Sequence, residues 1–142
     1  GMEVLLEDIT PRVLSFLEGG LIPKKASLWF GPAGTLTRLH YDPLTVLYAQ
    51  VRGIKRFRLA PPLTRSLLLR AQEGNTTPLD WEMLPQDMTG RFYELELHPG
   101  EVLLIPTGWW HEVYALTPSI SLGMLNVRGQ HRHPWYRPKN IT

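Results

Sequence analysis

Cysteine is absent from the 142 residues, which removes disulfide frameworks, iron–sulfur clusters and thiolate zinc sites together. Any metal this chain holds must be bound by histidine and carboxylate. Long hydrophobic runs are missing too. No uninterrupted apolar stretch approaches the roughly 20 residues of a membrane helix, and the N-terminus shows no basic-then-apolar export pattern. The expectation is an intracellular, cytoplasmic protein with no membrane partner. Acidic residues are scarce where basic ones gather: between Lys24 and Arg70 stand nine Lys/Arg, at 24, 25, 38, 52, 55, 56, 58, 65 and 70, against one carboxylate, Asp42. Such a stretch would draw in a small anion, although solvated strand faces give the same pattern; a nucleic-acid partner is not expected.

What is present describes an ordinary globular chain, with 43% hydrophobic and 20% charged residues and a net charge of +2. Its length fits a single domain over residues 2–142. Gly1 ahead of Met2 reads as a residue left by tag removal, and 128–142 as a basic tail. Thr10-Pro11 followed by Val13, Leu14, Phe16 and Leu17, then Gly19-Gly20, predicts a short amphipathic helix capped by Thr10 and stopped at Gly19. Strands are expected at 28–30, 36–42, 44–51, 54–59, 92–97, 102–105, 109–113 and 120–127, with a tight hairpin at Arg52-Gly53. Residues 63–71 read as a short helix, and 72–90 as a long loop, with one helical turn near Gln86, beside a binding mouth. Many short strands between Gly/Pro turns indicate an all-β barrel or sandwich.

Leu36-Thr37-Arg38-Leu39-His40-Tyr41-Asp42 carries the chemistry. A strand points alternate side chains the same way, so His40 and Asp42 share a face. His111, in Gly108-Trp109-Trp110-His111-Glu112-Val113, offers a second imidazole. Two histidines and a carboxylate on one side of an ion leave the opposite positions open, the donor set of non-heme Fe(II) oxygenases. A His-x-Asp triplet by itself is equally what a surface turn or a hydrogen-bonded pair shows. Trp109 and Trp110 read as packing residues, and His98, His131 and His133 as solvated.

Four motifs in order then carry a resemblance: 29–35 (Trp-Phe-Gly-Pro-Ala-Gly-Thr), His40-Tyr41-Asp42-Pro43, 50–57 (Gln-Val-Arg-Gly-Ile-Lys-Arg-Phe) and 99–111, from Pro99-Gly100-Glu101 to Trp110-His111. Together they resemble the JmjC, or cupin-like, 2-oxoglutarate oxygenases, and among these the protein hydroxylases such as the asparaginyl hydroxylase that inhibits hypoxia-inducible factor. The resemblance implies a double-stranded β-helix, a jelly-roll, cupin-like barrel, here with the short N-terminal helix in front. It implies Fe(II) held by His40, Asp42 and His111 as the catalytic centre. It further implies 2-oxoglutarate anchored by Lys55 and Thr37, with Asn126 near the cofactor and Trp29 lining the pocket. Strand parity turns Thr37 away from His40, so its role requires a bend between them. Val46 stands where many relatives carry an asparagine. The implied activity is a dioxygenase using O2 and 2-oxoglutarate to hydroxylate a protein or peptide side chain. The alternatives are an oxygenase of the same family acting on methyl-lysine or modified RNA, and a non-catalytic cupin that binds a metal or small acid. A homodimer is expected, because uncovered sheet edges invite pairing.

Overall fold

Short strands separated by Gly/Pro turns must find partners far away in sequence whenever each turn carries the chain across a gap rather than back along its own edge. The computed structural model, which describes residues 11–62, 64, 75–77, 81–83 and 92–129, is built this way throughout. Its described residues contain eight strands: β1 (Ala26–Gly31), β2 (Leu36–Tyr41), β3 (Val46–Arg52), β4 (Lys55–Ala60), β5 (Tyr93–Leu97), β6 (Val102–Ile105), β7 (Trp110–Ala115) and β8 (Ser119–Met124). One four-stranded sheet runs β1-β8-β3-β6 and the other β2-β7-β4-β5. All the pairings are antiparallel. Successive strands from β1 to β4, and again from β5 to β8, lie in alternate sheets.

This winding corrects three expectations. The first is the closed barrel. The two sheets are separate, with β1 and β6 at the edges of one and β2 and β5 at the edges of the other. Edge strands β1 and β2, like β5 and β6, are joined by turns of the chain at 32–35 and 98–101, and turn backbone supplies no ladder of hydrogen bonds to close the ring. The cupin-like topology is therefore an open pair of antiparallel sheets.

The second correction concerns the hairpin. Arg52-Gly53 does turn sharply, but β3 pairs with β8 and β6, and β4 with β7 and β5. Gly53 has φ 73°, and a Cβ there would overlap the Pro118 carbonyl oxygen, so only glycine fits this crossing. Gln50 braces it by donating from Nε2 to the carbonyls of Arg52 (2.8 Å) and Gly53 (2.9 Å).

The third correction is the N-terminal helix, which is a single turn, α1 (Pro11–Leu14). The backbone beyond it is taken by the end of the chain's last sheet segment. Leu17 bridges Val127, Glu18 N–H donates to the Asn126 carbonyl (2.8 Å), and Arg128 N–H donates to the Phe16 carbonyl (2.8 Å). A residue committed to an extended bridge cannot continue an i to i−4 helix. The expected helix at 63–71, the turn near Gln86, the Thr10 cap, and His131 and His133 of the tail lie outside the described residues. Among the described residues no helix is long and apolar enough to cross a membrane.

Strand parity sorts the side chains into three apolar groups. Leu47, Ala49, Leu122 and Met124 point outward from the first sheet and are covered by Val13 and Leu17 of the α1 segment. Leu39, Tyr41, Ala60 and Trp110 form a cluster with Trp81 and Phe92 packed against it. Between the sheets lie Val46, Tyr48, Phe57, Leu59, Leu97, Ile105 and Val113. Trp110 and Phe57 are fully buried, and side chains of this size contribute on the order of 2–3 kcal/mol each through burial. The segment containing Asn75–Thr77 lies along the free edge of β2: Tyr41 N–H donates to the Asn75 carbonyl (2.9 Å), Asn75 Nδ2 to the Tyr41 carbonyl (2.8 Å), and Thr76 bridges His40. The edge that bears His40 is thereby protected.

Candidate active site

Because β2 and β7 are neighbours, two histidines distant in sequence become a cross-strand pair, His40 opposite His111. Their ring centroids are 4.1 Å apart. Asp42 follows immediately after β2, and its Oδ2 lies 3.6 Å from His111 Nε2. One ligand atom from each of His40, Asp42 and His111 lies within 4.8 Å of the other two. Each imidazole is oriented by the backbone of its own strand. His40 Nδ1 lies 2.8 Å from the Arg38 carbonyl and His111 Nδ1 lies 3.0 Å from the Trp109 carbonyl. A carbonyl only accepts, so each Nδ1 carries a proton, which leaves Nε2 as the ligand atom of either ring. Metal-binding histidines are oriented in the same manner.

Burial gives His111 a definite protonation state. It is 4% exposed, and its pKa is lowered to about 4, chiefly by desolvation and then by the neighbouring His40, with the Trp109 carbonyl and Asp42 opposing. At neutral pH the ring is uncharged, as a ligand must be. An unfolded histidine titrates near 6.5, so between pH 6.5 and 4 the unfolded chain binds the extra proton. The stability due to neutral burial is present above pH 6.5 and is lost as pH falls through that window. In chelator, urea unfolding is expected to show a loss on the order of 3 kcal/mol between pH 7 and 4 from this group. In His111→Gln that slope is expected to flatten; an unchanged slope would show that His111 is not its source.

A cavity of about 240 Å³ opens beside the three residues and is lined by Ser27, Trp29, Thr37, His40, Asp42, Pro43, Leu44, Val46, Tyr48, Ile105, His111, Val113, Gly123 and Leu125. It is at the small end for ligand pockets, suited to a small acid rather than a drug-sized molecule. Thr37 reaches it through a bulge. On β7 the step from Val113 to His111 spans two residues, and on β2 the matching step from Thr37 to His40 spans three. The extra residue reverses the parity, so Thr37 and His40 both face the cavity. Trp29 lines it while staying 48% exposed.

Lys55 is placed differently. It is buried, 8% exposed, and its Nζ donates to the Tyr48 hydroxyl at 3.0 Å and sits 5.4 Å from the centre of that ring. Tyr48 is the cavity wall here, with Lys55 adjoining its hydroxyl. Along β4 and β7, Leu59 pairs with His111, Phe57 with Val113 and Lys55 with Ala115. Thr37, opposite Val113, therefore lies at a level between the triad and Lys55. Burial pulls the Lys55 ammonium below the usual lysine value, and among the described residues no carboxylate pairs with it. Arg58, by contrast, is held by Glu82 (2.6 Å), Glu94 (2.7 Å) and Glu112 (3.6 Å). Among the described residues the basic stretch thus holds one neutralised cation, Arg58, and one buried without a counter-ion, Lys55.

Asn126 lies elsewhere. It is buried, but its Nδ2 donates to the carbonyls of Glu18 (2.9 Å) and Gly20 (2.7 Å), tying down the N-terminal segment, and it does not line the cavity. Tyr48 is the residue the sequence reading missed. The signal was available, since Tyr48 follows Val46 by two on one strand and shares its face.

With this geometry in view, comparison with known proteins is informative. The model of the cupin-like domain family matches residues 7–128. The chain belongs to that family. Lysine-specific demethylase JMJ30 of Arabidopsis thaliana is 36% identical over 126 residues, covering 83% of this chain and 29% of the relative. Jumonji C domain-containing protein 5 of Drosophila melanogaster is 38% identical over 102 residues, covering 66% and 25%. The chain spans less than a third of the length of these curated relatives. The structure of YcfD, a ribosomal oxygenase from Escherichia coli, with cobalt and succinic acid has a TM-score of 0.50 at 24% identity, covering 70% of this chain and 22% of that one. That likeness bears on the fold alone. In this cupin-like domain His40 and the distal His111 fall on the paired strands β2 and β7, with Asp42 just past the end of β2.

Proposed function

We propose that this cupin-like domain is an Fe(II)- and 2-oxoglutarate-dependent dioxygenase that hydroxylates a protein or peptide side chain. The observation that carries the reading is the convergence of His40, Asp42 and His111, with both imidazoles oriented through Nδ1 and their Nε2 atoms available. The donor set fits a divalent ion of the first transition row, with one charged oxygen and two neutral nitrogens. With 2-oxoglutarate and O2, iron in such a site supplies oxidative decarboxylation coupled to insertion of an oxygen atom into a C–H bond.

The chain's own residues bind and orient. His40, Asp42 and His111 would hold the ion from one side, and the strands behind them fix the direction of approach. Thr37 offers a hydroxyl along the cavity, and Lys55 a buried ammonium beyond it, so an acid with carboxylates at both ends finds a partner for each. Apolar walls from Val46, Ile105, Val113 and Leu125 keep water from the reacting end. Trp29, at once lining and exposed, is placed to meet the primary substrate.

The substrate side chain is a finer part of the proposal. The asparaginyl hydroxylase offers one model, an amide side chain. The names of the relatives offer another, methyl-lysine, whose demethylation begins with the same C–H hydroxylation. An intracellular setting and a homodimer belong to the same proposal. The dimer draws on the exposed Leu28 and Phe30 of edge strand β1.

The test is succinate release from 2-oxoglutarate by Fe(II)-loaded protein in air, with a panel of asparaginyl and methyl-lysyl peptides examined for oxidation or demethylation. Succinate formed only with metal and 2-oxoglutarate together is expected. Tight metal binding with succinate no higher than in metal-free controls would leave a metal-binding cupin as the better account.

A further inference from the structure

Four buried polar side chains, Gln50, Ser121, Tyr48 and Lys55, stand together behind the cavity wall, joined in two hydrogen-bonded pairs. Gln50 uses both amide protons on the carbonyls of Arg52 and Gly53, so its Oε1 must face the other way. Ser121 lies against that oxygen at 2.8 Å and must donate to it. An ammonium can only donate, so the Tyr48 hydroxyl oxygen accepts from Lys55 Nζ at 3.0 Å. Gln50, Ser121, Tyr48 and Lys55 are all buried, at 2%, 0%, 9% and 8% exposure. Burial removes water as a substitute partner, so each hydrogen bond counts.

We infer that Tyr48 is a positioning residue for Lys55, its hydroxyl oxygen holding the buried ammonium in place for the far carboxylate of the proposed acid. An ammonium has three protons; with one fixed on Tyr48, two remain for the two oxygens of an incoming carboxylate. The Tyr48 hydroxyl oxygen is the acceptor that holds the ammonium. Without that oxygen, a lysine on four rotatable carbons has no acceptor to hold its head in place before the acid arrives. Tyr48→Phe removes this oxygen alone and keeps the ring that packs edge-on against Phe57, centroids 5.0 Å apart.

The inference rests on the proposed use of 2-oxoglutarate, and its test separates the two. Zn(II)-loaded wild type, Tyr48→Phe and Ser121→Ala are titrated calorimetrically with 2-oxoglutarate and with 2-oxopentanoate, the keto acid of equal length whose far end is a methyl group. Tyr48→Phe is expected to weaken 2-oxoglutarate by about three- to tenfold and to leave 2-oxopentanoate unchanged. The ¹⁵N resonance of the Lys55 ammonium, sharp in the wild type, is expected to broaden in Tyr48→Phe. Ser121→Ala, which removes a hydroxyl next to that of Tyr48 without touching the ring, should shift selectivity the same way by less, and it decides the matter if Tyr48→Phe does not fold. Equal weakening of both acids, or no weakening of either, overturns the inference while leaving the proposed function standing. A wild type that holds zinc but binds neither acid overturns both.

Discussion

Lys55→Ala is expected to weaken 2-oxoglutarate binding by about thirtyfold to a thousandfold while leaving metal affinity within about twofold. The wild-type ammonium is already desolvated and lacks a carboxylate among the described residues, so the incoming acid supplies a counter-charge the fold has left out. A hydrogen-bonded charge pair in such surroundings is worth about 2–4 kcal/mol when one partner is removed. The metal should be indifferent, because Lys55 stands at the Ala115 level of β4 and β7, four residues along from the His111 level. Burial also sets the sign of the proton linkage: desolvation lowers the lysine and an arriving carboxylate raises it, so any proton exchange on binding should be an uptake. Lys55→Arg is not expected to rescue, since the Tyr48 hydroxyl at 3.0 Å occupies the space a planar guanidinium needs. Calorimetry of 2-oxoglutarate into Zn(II)-loaded protein, repeated in buffers of different ionisation enthalpy, measures both quantities. Equal affinity in wild type and Lys55→Ala would remove Lys55 from the site.

Asp42→Asn is expected to reduce Mn(II) affinity by at least about a hundredfold, with little change in folding. The substitution keeps the shape and removes the only negative charge among the three donors, and a carboxylate is the ligand a hard divalent ion holds best. Asp42 has a side-chain exposure of 33%, against 5% for His111, which makes it the gentler place to break the centre. Its loss also removes the one group favouring a proton on His111 through charge, leaving that ring neutral over a wider range. Electron paramagnetic resonance of free Mn(II) during titration reads the affinity, and thermal unfolding in chelator reads the fold. Retention of Mn(II) within threefold of wild type would show that Asp42 does not hold the ion, and the dioxygenase reading would fall with it.

Some of this site could be read from local spacing and some could not. His40 and Asp42 are two apart at the end of β2, close enough in sequence for local spacing to bring them together. Their meeting with His111 depends on β2 lying beside β7, a pairing that no local pattern encodes. Thr37 shows the limit most clearly. Its parity argued against His40, and a single extra residue in β2, visible only against the register of β7, brings both into one cavity. Lys55, Phe57 and Leu59 share the inward face that alternation assigns them, yet the hydrogen bond from Lys55 to Tyr48 joins strands in different sheets. Asn126 was expected beside the cofactor. It serves the N-terminal segment, because the chain at 16–18 returns to pair with 126–128.

The sequence by itself determined the chemistry of the donors and the approximate places of the strands. Both are consequences of residue type and of a two-residue period: no cysteine to compete as ligand, imidazole and carboxylate two residues apart, and glycine where Gly53 must turn with positive φ. Only the tertiary structure decided that the sheets remain open, that the Arg52-Gly53 turn crosses between them instead of forming a hairpin, and that α1 stops after one turn. It also decided that Lys55 sits beside Tyr48. The reason is physical: each of these depends on which distant backbone takes up a free hydrogen-bonding edge, and that competition is settled by long-range register rather than by any residue's own preference.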